Sequence, residues 1–190
     1  AGYGWVGPMH SAAVYLNGSY YGHAYLSARV DDNLLESFFN RPREDFVFFT
    51  GGVKRLRSSP KYPELLHWRM IKNFRALTRR CEDEPMSESL HNDIVRQIDV
   101  ADFLLYYAIE IYIDNKEWLH DDQNNIAVWR YAGTDKVPGS ALDGRWRYVL
   151  FDMDVSAMSP WHGASPPSNP TLHRALAASP LFASLLELPE

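Results

Sequence analysis

The chain has 190 residues, 46% hydrophobic and 23% charged, ordinary globular values that argue against disorder, and is long enough for one domain with a sizeable core. A net charge of −5 argues against broad nucleic-acid binding, since no surplus of Lys and Arg exists to neutralise phosphates. The one cysteine, Cys81, excludes an internal disulfide and a zinc–cysteine cluster, and there is no run of about 18 apolar residues, the length a spanning helix needs. Aromatic residues, 14% of the chain with 6 Trp and 11 Tyr, fit either many half-buried strands or an aromatic surface. The opening Ala1-Gly2-Tyr3-Gly4, without Met, reads as a processed or excised piece.

In chain order, a Gly-rich lead-in gives way to a short apolar strand, Ser11–Leu16, closed by Asn17-Gly18, the strongest two-residue hairpin turn. The return strand runs Tyr20–Val30, with Arg29 at its polar end. Leu34–Phe39 reads as a short helix capped by Asp31, Asp32 or Asn33 and stopped by Pro42. Phe46–Thr50 is a brief strand, and Lys54–Pro63 a basic loop whose Lys54, Arg55 and Arg57 read as a solvated charge run. The spacing of Leu65, Trp68, Ile71, Phe74 and Leu77 predicts a helix over Glu64–Arg80, followed by an acidic break, Cys81–Ser87. Helical pattern resumes over Glu88–Tyr112, where Asp99 caps a second segment with Val100, Phe103, Leu104, Tyr107 and Ile111 on one face.

After a polar loop, Asp114–Asn125, come two apolar strands, Ile126–Trp129 and Trp146–Phe151, the second ending in Asp152-Met153-Asp154. A Pro-, Ser- and Gly-rich stretch through Pro170 precedes short apolar segments at Leu172–Ala177 and Leu181–Leu186. The order of hairpin, helices, hairpin and tail predicts an α+β fold.

If the two later strands pair, acids and carboxamides meet at one end of a hairpin. Asn124 and Asn125 on one side, Asp152 and Asp154 on the other, are hard oxygen donors suited to Mg²⁺ or Mn²⁺ carrying phosphate. Asp152 and Asp154 alternate on a strand, so at most one faces a given site unless the chain turns between them. The bland readings are an Asn-Asn turn and two solvated loop acids. His120 reads as a loop residue, Arg29 as either a phosphate ligand or half of a surface ion pair, and Asn17-Gly18 as turn chemistry first, with covering of phosphates second.

The segment Val14–Gly22 resembles the opening signature of the CotH family, the spore-coat-protein-H-like atypical protein kinases. Ile98–Phe103, Asn115-Lys116-Glu117-Trp118, Asn124-Asn125, Trp146 and Phe151–Asp154 are similar to the rest of that family's pattern, in the same order. The resemblance covers about residues 11–186 and marks a partial or shortened domain: one unit over 1–190, with N-terminal strands and helices over 11–80 and a helical part with the metal and catalytic loops over 88–186. It implies a two-lobed kinase-like fold, ATP with Mg²⁺ or Mn²⁺, and phosphate transfer to Ser or Thr of a secreted or spore-coat protein, at the cell or spore surface. Carried over, Asp152 is the metal-binding acid, Asn125 (or Asn124) the catalytic-loop Asn on a second metal, and Arg29 stands where many members have Lys.

Two positions depart from the family. Glu117-Trp118 replaces Asp-Trp in the catalytic loop, so Glu117, or else Asp121 or Asp122, would orient the acceptor hydroxyl. Ala28 stands where members carry a Glu beside the Lys. Three readings follow: an active kinase, a catalytically weakened surface-binding or assembly module, and a metal-dependent phosphohydrolase.

Overall fold

A computed structural model of the chain describes residues 9–50, 65–119, 125–150, 152–153, 156 and 170–187. It is a mixed α+β structure, with six α-helices and two antiparallel sheets among these residues.

Strands β1 (Met9–Leu16) and β2 (Ser19–Ser27) form the first hairpin. Asn17 and Gly18 turn it with φ of 51° and 81°, the two positive angles that a type I′ turn demands. Tyr21 is the extra residue of a bulge between the pairs Val14↔Gly22 and Tyr15↔Tyr20. The return strand stops at Ser27, three residues before the Val30 that its composition suggests. Helix α1 (Asp32–Phe39) starts at Asp31, whose carboxylate accepts from the N–H of Asn33 (2.9 Å) and of Leu34 (3.3 Å). Asn40 ends it in a left-handed conformation, φ 49°.

A single 3₁₀ turn, Arg43–Asp45, leads into β3 (Phe46–Thr50). β3 pairs with β4 (Ala127–Tyr131), and β4 with β5 (Arg147–Val149), in the order β3-β4-β5. Both faces of this sheet are covered. On one, Leu35 of α1 packs with Phe46, Trp129, Tyr131 and Val149. On the other, Val47, Phe49, Val128 and Tyr148 meet the helices.

Those helices are α2 (Leu65–Asp83), α3 (Glu88–Gln97), α4 (Val100–Tyr112), α5 (Thr171–Ala178) and α6 (Pro180–Leu186). α2 continues three residues past Arg80, because Cys81 is still on its buried face and Ser184 of α6 donates to the Cys81 carbonyl at 2.9 Å. The acidic residues expected to break it, Glu82 and Asp83, are its exposed last turn. In α4 the buried face is Phe103, Tyr106, Tyr107 and Glu110, with Leu104 and Leu105 exposed. The apolar spacing picks out this face through Phe103 and Tyr107, with Val100 and Ile111 packed against the core, and errs at Leu104. α4 is apolar nearly all round, so its period alone does not exclude Leu104.

The α3–α4 junction is tied to the sheet. The Trp146 N–H donates to the Gln97 carbonyl (2.7 Å) and the Asp99 N–H to the Trp146 carbonyl (3.0 Å). Asp99 also caps α4 and receives Arg147 at 2.8 Å and Arg145 at 3.1 Å. Arg147, only 2% exposed, donates in addition to Asp143 and to the carbonyls of Ser140, Ala141 and Arg145. Burial pulls the Asp143 carboxyl upward, but hydrogen bonds from Arg147 and Arg145 outweigh it and hold it below the usual carboxylate range.

Candidate active site

The β4–β5 register sets the site. Ala127 pairs with Val149 and Trp129 with Arg147, so the residues preceding β4 and those following β5 leave the sheet at one edge. Asn125 lies two residues before β4 and Asp152 three residues after β5. Both have left-handed backbones, φ 59° and 56°, as do Asp114 (52°) and Leu119 (55°) in the loop that approaches the same edge. Asn and Asp tolerate this region better than other side-chain-bearing residues, and Leu does not. Strained φ values gathered in two adjoining loops persist only where the surroundings over-determine them.

The loop between α4 and β4 is built on Asn115, which is fully buried. Its amide Nδ2 donates to Glu110 Oε2 at 2.9 Å, and its Oδ1 accepts the Glu117 N–H at 3.1 Å. Glu117 is thereby turned outward, its Oε2 3.5 Å from Nδ2 of Asn125. Trp118 points the other way, into the core, where its indole N–H donates to the Tyr106 hydroxyl at 2.9 Å. That hydroxyl lies 3.5 Å from the Asn125 carbonyl, so α4 supports both Glu117 and Asn125.

Asp114, buried at the start of the loop, pairs with Lys116 and accepts from Thr171 Oγ1 at 2.5 Å. Burial pulls its carboxyl up, yet Lys116 and Thr171 together hold it below the usual range. Arg174 donates to the carbonyls of Asn115 (2.6 Å) and Lys116 (3.4 Å). Beneath them, burial pushes the Glu110 carboxyl up to about 7, against the Asn115 amide and the Arg174 charge.

Of the residues expected to form the site, Glu117 and Asn125 meet before β4, and Asp152 follows β5 in the chain. Asn17 and Gly18 form the tip of the β1–β2 hairpin. Arg29 follows β2 with a side chain 90% exposed, its Nε 3.9 Å from Asp31. His120, Asp121, Asp122, Asn124 and Asp154 lie outside the described residues, as does the basic run Lys54, Arg55 and Arg57. Among the described residues no three His, Cys, Asp or Glu side chains gather closely enough to hold a metal ion. The Asn125 carboxamide and the Asp152 carboxylate still offer the hard oxygens that Mg²⁺ and Mn²⁺ prefer. A small apolar hollow of about 10 Å³, room for one water, lies between Val30, Leu34 and Phe38 on one side and Phe48 and Val149 on the other.

Asn115, Glu110, Thr171 and Arg174 are shaping residues that residue types alone do not single out. The only signal for Asn115 is its place in the Asn-x-Glu-Trp run.

A family model described as CotH kinase protein matches residues 8–190. The chain belongs to the CotH kinase family. No curated protein and no solved structure shows a match. Within this CotH-family chain, the loop and hairpin just described contain the later motifs of the resemblance, and no helix among the described residues is long and apolar enough to cross a membrane.

Proposed function

We propose that this CotH-family chain is an atypical protein kinase of two-lobed, kinase-like fold that transfers the γ-phosphate of ATP to Ser or Thr of a secreted or spore-coat-type protein. The observation that supports the reading is the β4–β5 register, which sets the start of β4, preceded by Asn125, beside the end of β5, followed by Asp152, with Glu117 beside Asn125. Asp152 and Asn125, with Asn124 and Asp154 as further oxygen donors from the same loops, hold Mg²⁺ or Mn²⁺. The bound metal supplies neutralisation of the phosphate charge. Arg29 and the Asn17-Gly18 tip face the phosphates. Glu117, or Asp121 in its stead, orients the acceptor hydroxyl and takes its proton. As that oxygen bonds to the γ-phosphorus, the bond from phosphorus to the β–γ bridging oxygen breaks, and ADP leaves with the electron pair.

The test is transfer from labelled ATP with Mn²⁺ to an acceptor protein. Asp152→Asn, which removes the charge and keeps the shape, is expected to lower kcat by about 100-fold or more. Equal labelling by variant and parent overturns the reading.

A second reading, a surface-binding module that retains the fold without catalysis, is favoured by one observation. Tyr15, Tyr20, Tyr21 and Tyr25 are all exposed on the first hairpin, while Ala28 and Glu117 depart from the family pattern. Melting with ATP and Mn²⁺ separates the two: an intact nucleotide site raises the midpoint by mass action, and a module shows no shift at millimolar nucleotide.

A further inference from the structure

We propose that Thr171 and Arg174 of α5 are positioning residues that clamp the loop carrying Glu117 into the course that sets its carboxylate beside Asn125. The proposal rests on the kinase reading of that loop for its functional consequence, but the clamp itself is a matter of geometry. The loop leaves α4 through Asp114 in a left-handed conformation, which a neighbouring structure must hold in place. α5 holds it at three successive residues. Thr171 donates to the Asp114 carboxylate (2.5 Å), and Arg174 spans the carbonyls of Asn115 (2.6 Å) and Lys116 (3.4 Å). A guanidinium suits this task, because its planar fork presents several fixed donors where an ammonium presents a point charge. Arg174 also donates to Thr171 Oγ1 at 3.3 Å, so the two residues act as one unit.

The restraint passes inward through Asn115. Its carbonyl is held by Arg174, its amide by Glu110, and its remaining oxygen fixes the Glu117 N–H. Asn115 thus has its carbonyl set from α5, and its backbone N–H (3.2 Å to the Glu110 carbonyl) and side chain set from α4. With one of the two removed, the Glu117 amide loses the only orientation that both helices agree on. Thr171 and Arg174 act through Asn115, so their removal is expected to misplace Glu117 without touching the nucleotide.

The experiment uses the full chain with Thr171→Val, which removes the hydroxyl at nearly constant shape, Arg174→Gln, and the conservative Arg174→Lys. Amide exchange is followed over residues 114–119 and over β3–β5, alongside kcat and KM for ATP. Thr171→Val and Arg174→Gln are each expected to speed exchange over 114–119 by about tenfold, with β3–β5 unchanged. The same two variants should lower kcat by about tenfold or more at a KM within about twofold of the parent, and Arg174→Lys should fall between. Unchanged exchange over 114–119 in both variants overturns the clamp, whatever the transfer assay shows. Faster exchange there with kcat unaltered overturns the positioning role. A parent that transfers no phosphate defeats the kinase reading alone, and the exchange data still decide the clamp.

Discussion

Glu110 illustrates how a single residue couples the site to solution conditions. It is buried, with one carboxylate oxygen bonded to Asn115 and the other without a hydrogen-bond partner, and burial raises its carboxyl from 4.5 to about 7. The folded chain therefore keeps a proton that the unfolded chain has already released over that interval. The stabilisation from the neutral acid is complete below pH 4.5 and is lost as pH rises through about 7, of order 3 kcal/mol in all. Glu110→Gln keeps an acceptor for Asn115 and removes the titration. Denaturant titrations at pH 5 and pH 8 should show the parent losing stability relative to the variant by a few kcal/mol. Parallel profiles would mean that Glu110 stays charged in the fold. At this scale the legible residues are those whose role is local. Asn17-Gly18 turns the hairpin, and Asp31 and Asp99 cap α1 and α4, because each needs only its own backbone neighbours. Asn115 and Glu110 were not legible, since what they do depends on which helix crosses above them.

Among the elements, the short strand β5 depends on charge as much as on its three residues. Arg147 draws together Asp99 at the head of α4, Asp143, and three carbonyls of the β4–β5 connection, and its guanidinium lies 5.9 Å from the ring centroid of Trp129. Arg147→Met would leave Asp143 buried with Arg145 as its remaining cation. Breaking a buried pair from one side is costly, and a loss of about 3 kcal/mol or more is expected, read as a lower denaturant midpoint at constant slope. A change within about 0.5 kcal/mol would place the lock's strength in Arg145 instead. Element existence was legible almost throughout, from periodic spacing in α2 and α3 and from apolar runs in β3, β4 and β5. Less legible were element faces and ends. The near-uniform apolarity of α4 drew the exposed Leu104 onto its buried side and left out Tyr106 and Glu110, and the continued burial of Cys81 carried α2 beyond an apparent acidic stop.

At the scale of the whole molecule, the pairing of β3 with β4 joins residues 46–50 to 127–131. No local pattern announces it, because the partner of an edge is chosen by packing over long sequence separation. It is this pairing that gives α1 a sheet to pack on, through Leu35 and Phe39 against Phe46 and Trp129. The hairpin itself packs mainly strand on strand and leaves Met9, Leu16 and Leu26 as well as its tyrosines exposed. Two strands alone are marginally stable in water, so the hairpin is the least anchored part of the described fold.

The seam between α2 and α6 has a practical consequence. Cys81 is the only thiol in the chain; burial raises its pKa to about 11, outweighing the opposing Arg80 charge, so it is protonated and shielded at neutral pH. It becomes a built-in clock. The rate at which an alkylating reagent consumes this sulfur at pH 8 counts how often it becomes exposed. Expected is slow modification whose denaturant dependence follows complete unfolding, and a fast, denaturant-independent reaction would reveal local opening of this seam.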